Sequence, residues 1–147
     1  MPFSFPLQTL LNWKRNLEEL AQMRLAEKVK KLKVQEEEIE KLVLKRLSYE
    51  QELKEKSHRG LSVNEYLLYR QFAEDSYRDL VTKEEKKKET MLEIDGERET
   101  LIELTKEKKT LEKLKERKFK IFRYQMGKAE QKENDEMTTM KYRPAKR

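Results

Sequence analysis

One histidine, His58, and no cysteine leave this chain short of the side chains that most often bind transition metals or form nucleophile–base pairs. Its carboxylates do come in runs, Glu36–Glu38 and Glu84–Glu85, the second followed by Lys86–Lys88. Clustered carboxylates can ligate a hard cation or divide into an acid and a base. On a solvated helix face, however, such runs are better explained by opposite charges at i, i+4. His58 falls in a turn stretch and reads as solvated. There is no P-loop, Gly-rich phosphate cradle, nucleophile elbow or H-E-x-x-H. The expectation is a protein with no catalytic residue, no metal and no cofactor.

The remaining candidates are basic and aromatic. The stretch KERKFKIFRYQM, Lys115 to Met126, interleaves Phe119, Ile121, Phe122, Tyr124 and Met126 with Lys115, Arg117, Lys118, Lys120 and Arg123. Residues 113–147 hold 12 Lys+Arg against 5 Asp+Glu, a net of +7, while residues 1–112 hold 23 against 24, a net of −1. Three uses fit this composition. The stretch could dock on another protein, be capped by the chain's own Phe3 and Phe5, or contact nucleic acid through phosphates and bases. A second apolar patch gathers Val43, Leu47, Leu68, Tyr69 and Phe72, and could be a partner surface or a widening of the core.

The elements that carry these residues are helices. Of 147 residues 44% are charged and 35% hydrophobic, with three Gly and three Pro, too polar for an ordinary globular core but suited to a coiled coil. No window approaches the length of apolar chain that crosses a bilayer, and the opening lacks a basic leader and a cleavage site, so a soluble, cytoplasmic protein is expected. Pro6 suits a helix start, and no proline follows until Pro144. The one interruption is KEKSHRGLSVNEY, Lys54 to Tyr66: Gly60 suits a left-handed helix end, Ser62-x-x-Glu65 is a capping box, and Leu61 with Tyr66 forms a hydrophobic staple. The predicted fold is all-α, a single antiparallel two-helix coiled-coil hairpin. Helix one is predicted over about 6–57, the turn over about 57–62, a longer helix two over about 63–135 and a frayed basic tail over about 137–147.

Seven-residue rows define the expected seam. Helix one gives Leu11, Glu18, Leu25, Leu32, Ile39, Arg46, Leu53 and Leu7, Lys14, Ala21, Lys28, Gln35, Leu42, Tyr49, of which nine in fourteen are apolar. Helix two gives Tyr66, Ala73, Leu80, Lys87, Ile94, Leu101, Lys108 and Arg70, Tyr77, Glu84, Met91, Arg98, Thr105, with a phase drift expected beyond Leu104. Partners should sum to about 119, which pairs Leu53 with Tyr66, Leu42 with Tyr77, Ile39 with Leu80 and Leu25 with Ile94, and leaves weak layers at Gln35/Glu84 and Leu32/Lys87. Pro6 would then lie opposite Lys113, with everything beyond it overhanging.

The opening FSFPLQTLLNWKRNLEELAQMRLAE, the F-x-L-Q-x-L-L pattern at Phe5, Leu7, Gln8, Leu10 and Leu11, and NEYLLYRQF from Asn64 to Phe72 closely resemble the FliJ family of bacterial flagellar type III export proteins. The likeness spans the chain. It implies a non-catalytic, stalk-like coiled coil that docks by its terminal end into the hexameric flagellar export ATPase. Such a protein promotes the ring's assembly and activity, contacts the large membrane component of the export gate, and recycles export chaperones. It implies a cytoplasmic protein associated peripherally with the membrane at the flagellar base, with no nucleic-acid partner. Carried onto this sequence, the gate-contacting residues are Leu42, Tyr49 and Phe72, joined by Tyr69 of the Tyr-x-x-Phe pair; the ring-docking residues, read from the composition of the overhang, are Lys118, Phe119, Lys120, Ile121, Phe122, Arg123 and Tyr124. Lys45, Ser76 and Asp79 stand where that gate surface is usually apolar or aromatic. The injectisome stalk proteins share the architecture, and a basic nucleic-acid-binding coiled coil is the alternative of a different class.

Overall fold

The computed structural model describes residues 2–141, built almost entirely from two helices, α1 (Gln8–Arg59) and α2 (Val63–Lys141). They pack against each other as a hairpin, α2 being the longer at 79 residues to 52, so the expected all-α class holds.

The helix ends follow from local chemistry. The Phe5 carbonyl accepts from the Gln8 amide at 3.0 Å, and α-type bonding begins with the Leu11 amide on the Leu7 carbonyl at 2.9 Å. Pro6 therefore lies in a lead-in turn, and α1 starts two residues later than expected. Lys56, His58 and Arg59 in the last turn of α1 complement the exposed carbonyls there. Gly60 has φ of 98°, the left-handed conformation that costs a residue without Cβ nothing. The Ser62 hydroxyl accepts from the Glu65 amide at 3.1 Å, satisfying one orphan donor of α2; this half of the capping box forms. α2 then runs unbroken through Gly96 and Gly127. Met137–Lys141, expected to fray, are helical, because nothing between Gly127 and Pro144 breaks a helix. The Thr138 and Thr139 hydroxyls donate to the Asn134 and Asp135 carbonyls, each at 2.8 Å. The rest of the expected tail, 142–147, lies outside the described residues.

Packing forms two compact units, Met1–Glu18 with Ile102–Arg147, and Glu19–Leu101. In the first, Leu11 is fully buried, with Phe5 and Glu18 nearly so; in the second the buried residues are Ala21, Ile39, Ser76, Thr90 and Ile94. On α1 both expected rows face inward, with only Leu7 and Tyr49 more than a third exposed. On α2 the row through Leu80, Lys87, Ile94, Leu101 and Lys108 holds, but its companion is Tyr69, Ser76, Lys83, Thr90, Glu97, Leu104 and Leu111. That is one residue earlier than expected, and Tyr77, Met91 and Arg98 are exposed as a result. Ser76 and Thr90 belong in the seam because their hydroxyls donate to their own helix, to the Ala73 carbonyl at 3.2 Å and the Lys86 carbonyl at 3.1 Å, and so bring no unpaired donor inside. Leu104 and Leu111 extend this row without a shift, which removes the expected drift.

The pairing offset is corrected too. Lys28 with Glu93, Glu38 with Lys83 and Tyr49 with Phe72 each sum to 121 rather than 119. The fold-back is thus centred on the turn Gly60–Ser62 itself.

Candidate functional site

Near the turn, within Glu19–Leu101, α1 supplies Tyr49 and α2 supplies Tyr69 and Phe72. Tyr49 stacks on Phe72, ring centroids 4.0 Å apart and 21° from parallel, and meets Tyr69 edge-on at 6.1 Å. The Tyr69 hydroxyl donates to the Glu52 carboxylate at 3.3 Å. Cations cover the outer ring faces, Lys45 at 5.6 Å from Phe72 and Lys56 at 5.4 Å from Tyr69. Beside this trio runs a groove of about 570 Å³ lined by Val43, Leu47 and Leu53 of α1 and Ala73 and Leu80 of α2.

The structure thus brings together three of the four residues expected at the gate surface, with Leu42 half-buried one heptad before Tyr49 on the same row. They are partners of one another first and a surface second. Val43, Leu47, Tyr69 and Phe72 of the second patch line the groove, Val43 and Leu47 nearly half exposed, while Leu68 points to solvent. Of the three departures, Ser76 is a buried seam residue, Lys45 lies over Phe72, and Asp79 sits 4.0 Å from Lys83.

The second candidate lies in the terminal unit. Sequence reasoning left the helix past Lys113 without an intramolecular partner in its preferred reading. Instead Phe3 packs edge-on against Phe119 at 5.2 Å and against Phe122 at 5.5 Å, with Phe5 buried behind it. The N-terminal cap covers one face of the stretch and leaves the other open: Phe122 is half-buried, Phe119 41% exposed, Ile121 55% and Tyr124 65%. Lys118 is exposed, Lys120 reaches Glu116 at 3.3 Å, and Arg123 lies 5.9 Å from the Phe119 ring. The seven expected docking residues are therefore divided between two environments.

Below them the helices are joined by charges. Lys108 donates to Glu18 at 2.9 Å, Lys14 to Glu107, and Arg15 sits 3.6 Å from Glu112. Glu18 is nearly buried, and the Lys108 hydrogen bond, with help from Thr105, holds its carboxyl below the usual range although burial pushes it up. Its second oxygen has no partner. Sequence reasoning placed both residues in the seam rows but did not pair them, since their numbers sum to 126, five beyond the level pairing.

In the first acidic run Glu36 and Glu38 make interhelical pairs: Lys87 lies 3.9 Å from Glu36 and Lys83 lies 3.5 Å from Glu38. His58 is exposed at the end of α1. Among the described residues, no three His, Cys, Asp or Glu gather as a metal site, and no helix is long and apolar enough to cross a membrane.

The family model described as Flagellar FliJ protein matches residues 3–147. No curated protein and no solved structure matches the chain. With that match spanning the chain, this two-helix hairpin belongs to the FliJ family and is a flagellar export-associated protein.

Proposed function

We propose that the chain is a non-catalytic stalk of the flagellar export apparatus. Its terminal unit docks into the hexameric export ATPase and promotes that ring's assembly and turnover. The aromatic surface of Leu42, Tyr49, Tyr69 and Phe72 contacts the large membrane component of the export gate, and export chaperones bind and are released along the same hairpin. The protein works in the cytoplasm, peripheral to the membrane at the flagellar base.

The observation that carries this reading is the open face of the terminal stretch, where Ile121 and Tyr124 stand exposed among cations in a segment of net charge +7. Apolar surface set among like charges fits a ring whose lining is acidic, since attraction brings the helix in and desolvation holds it there.

The test is ATP turnover of the purified export ATPase, titrated with the full-length chain and with a Lys118→Gln, Lys120→Gln, Arg123→Gln variant. Stimulation by the first, weakened in the second and by added salt, supports ring docking. No stimulation by the full-length chain at any salt concentration sinks it; equal stimulation by both removes these three cations from the contact. A steep fall of oligonucleotide affinity with salt, without any effect on turnover, would favour nucleic acid instead.

A further inference from the structure

The docking stretch has two faces, and only one is free. Lys113, Arg117, Ile121, Tyr124 and Lys128 follow one another at steps of four, four, three and four residues, which keeps them on one side of an α-helix. The half-buried Lys108, Leu111, Lys115 and Phe122 occupy the other side, where α1 and Phe3 pack. From Lys113 to Lys128 there are seven cations and a single acid, Glu116, which Lys120 already engages at 3.3 Å. Lys128 lies 5.2 Å from the Tyr124 ring, so the row sets an apolar centre, Ile121 and Tyr124, between cations at both ends.

We propose that the row Lys113, Arg117, Ile121, Tyr124 and Lys128 is the surface α2 presents to its partner, and that the partner is an acidic protein surface with an apolar recess. Phe119 and Phe122 serve the chain's own N-terminus and hold the stretch together; they do not contact the partner. The inference rests on the ring-docking reading and assigns the contact within it to Ile121 and Tyr124 of the expected set, with Lys113, Arg117 and Lys128, which that set left out. Charge complementarity selects the acidic surface. Ile121 selects protein over nucleic acid, because an aliphatic side chain at the centre of the row neither pairs with phosphate nor stacks on a base, whereas a recess between helices or strands takes it readily.

Three full-length variants test it against the purified export ATPase: Ile121→Ser with Tyr124→Ser, Lys113→Glu with Arg117→Glu and Lys128→Glu, and Phe119→Ser with Phe122→Ser. Circular dichroism melts establish the temperature at which each is folded, and turnover is measured below it. The Ile121/Tyr124 variant is expected to raise the concentration for half-maximal stimulation about tenfold, the scale of an interface anchor. The charge-reversed variant is expected to do the same and to lose the salt dependence. The Phe119/Phe122 variant is expected to melt earlier but to stimulate at the wild-type concentration. Loss of stimulation by the folded Phe119/Phe122 variant, with the Ile121/Tyr124 variant unchanged, overturns the face assignment and leaves ring docking standing. Wild-type stimulation by all three overturns this stretch of α2 as the contact, and absence of stimulation by the wild-type chain overturns ring docking itself.

Discussion

The terminal unit and the turn-proximal unit meet the same packing problem with different side chains. In the terminal unit, charge pairs cross the helices at Glu18–Lys108, Lys14–Glu107 and Arg15–Glu112 around one fully buried leucine, Leu11. In Glu19–Leu101 the buried residues are Ala21, Ile39 and Ile94 with the small Ser76 and Thr90, and the interhelical pairs Lys28–Glu93, Lys83–Glu38 and Lys87–Glu36 have no carboxylate as buried as Glu18. Two helices bury too little to select a register by apolar area alone, so something sharper must do it. In the terminal unit it is charge. A slip of one heptad would set Glu18 against Leu101 or Lys115, Lys14 against Thr100 or Leu114, and Arg15 against Thr105 or Phe119. Only the observed alignment pairs all three. In the other unit the small buried residues Ser76 and Thr90 add a second device, size, beside the pairs Lys28–Glu93 and Lys83–Glu38.

The strongest way to break the contrast is to empty each core. Leu11→Ala and Ile94→Ala should each cost about 2–4 kcal/mol in urea unfolding, since both side chains are buried and a two-helix seam closes poorly around a cavity. Amide exchange should quicken mainly in the unit that carries the change. If either substitution speeds exchange equally in both, the units are one cooperative body and the contrast is only local decoration. Next in size, Thr90→Leu should cost about 1–3 kcal/mol by overpacking the level where the helices approach. Thr82→Leu, at an exposed threonine with the same kind of hydroxyl-to-carbonyl bond (to Arg78), should cost almost nothing and serves as the control.

The same contrast explains what the residues reveal unaided and what they conceal. The turn was legible because Gly60, Ser62 and Glu65 act within a few residues of one another, and two of their three expected roles are seen. The seam of α1 was legible because its rows are mostly leucine and isoleucine. The companion row of α2 was not, because apolar Tyr77 and Met91 mark one row while Ser76 and Thr90 occupy the other. Sequence shows polarity; it does not show that a hydroxyl will be satisfied by its own helix. The aromatic gate candidates were found as a group, but their stacking on each other depends on an offset two residues from the one inferred. The docking stretch was found for its composition. Its division into a capped and an open face depends on where Phe3 goes, and no local pattern encodes that.

Removing the charge from the terminal seam is a smaller and more specific perturbation. Glu18→Gln should cost about 1–2 kcal/mol at neutral pH, because Lys108 keeps a weaker acceptor and loses its counter-charge. The folded-state carboxyl titrates below its ordinary value of 4.5, so its contribution is complete above that pH and is lost as pH falls through the folded value. The gap between variant and wild type should therefore close on acidification. In the other unit Glu93 is likewise lowered and Lys28 raised by their mutual hydrogen bond. That pair contributes between the two ordinary values and weakens at both extremes. Melting temperatures of both proteins down to about pH 3 decide the matter. A gap that persists there would assign the Glu18 effect to shape, and the terminal unit would no longer differ from its neighbour in kind.

The finest test concerns the aromatic trio, where the turn-proximal unit adds its own directional contact. Tyr49 and Phe72 lie on different helices, stacked at 4.0 Å, and both stay partly open to solvent. If the stack is a structural clasp, Tyr49→Ala and Phe72→Ala should not add. The coupling in a double-mutant cycle should reach about 0.5–1.5 kcal/mol beyond the area each ring buries. Lys45 covers Phe72 from outside at 5.6 Å, so Lys45→Ala should lower that coupling little, its cation being exposed and screened. Additive losses would mean the rings are held by the helices rather than holding them. The surface would then be open for a partner to rearrange.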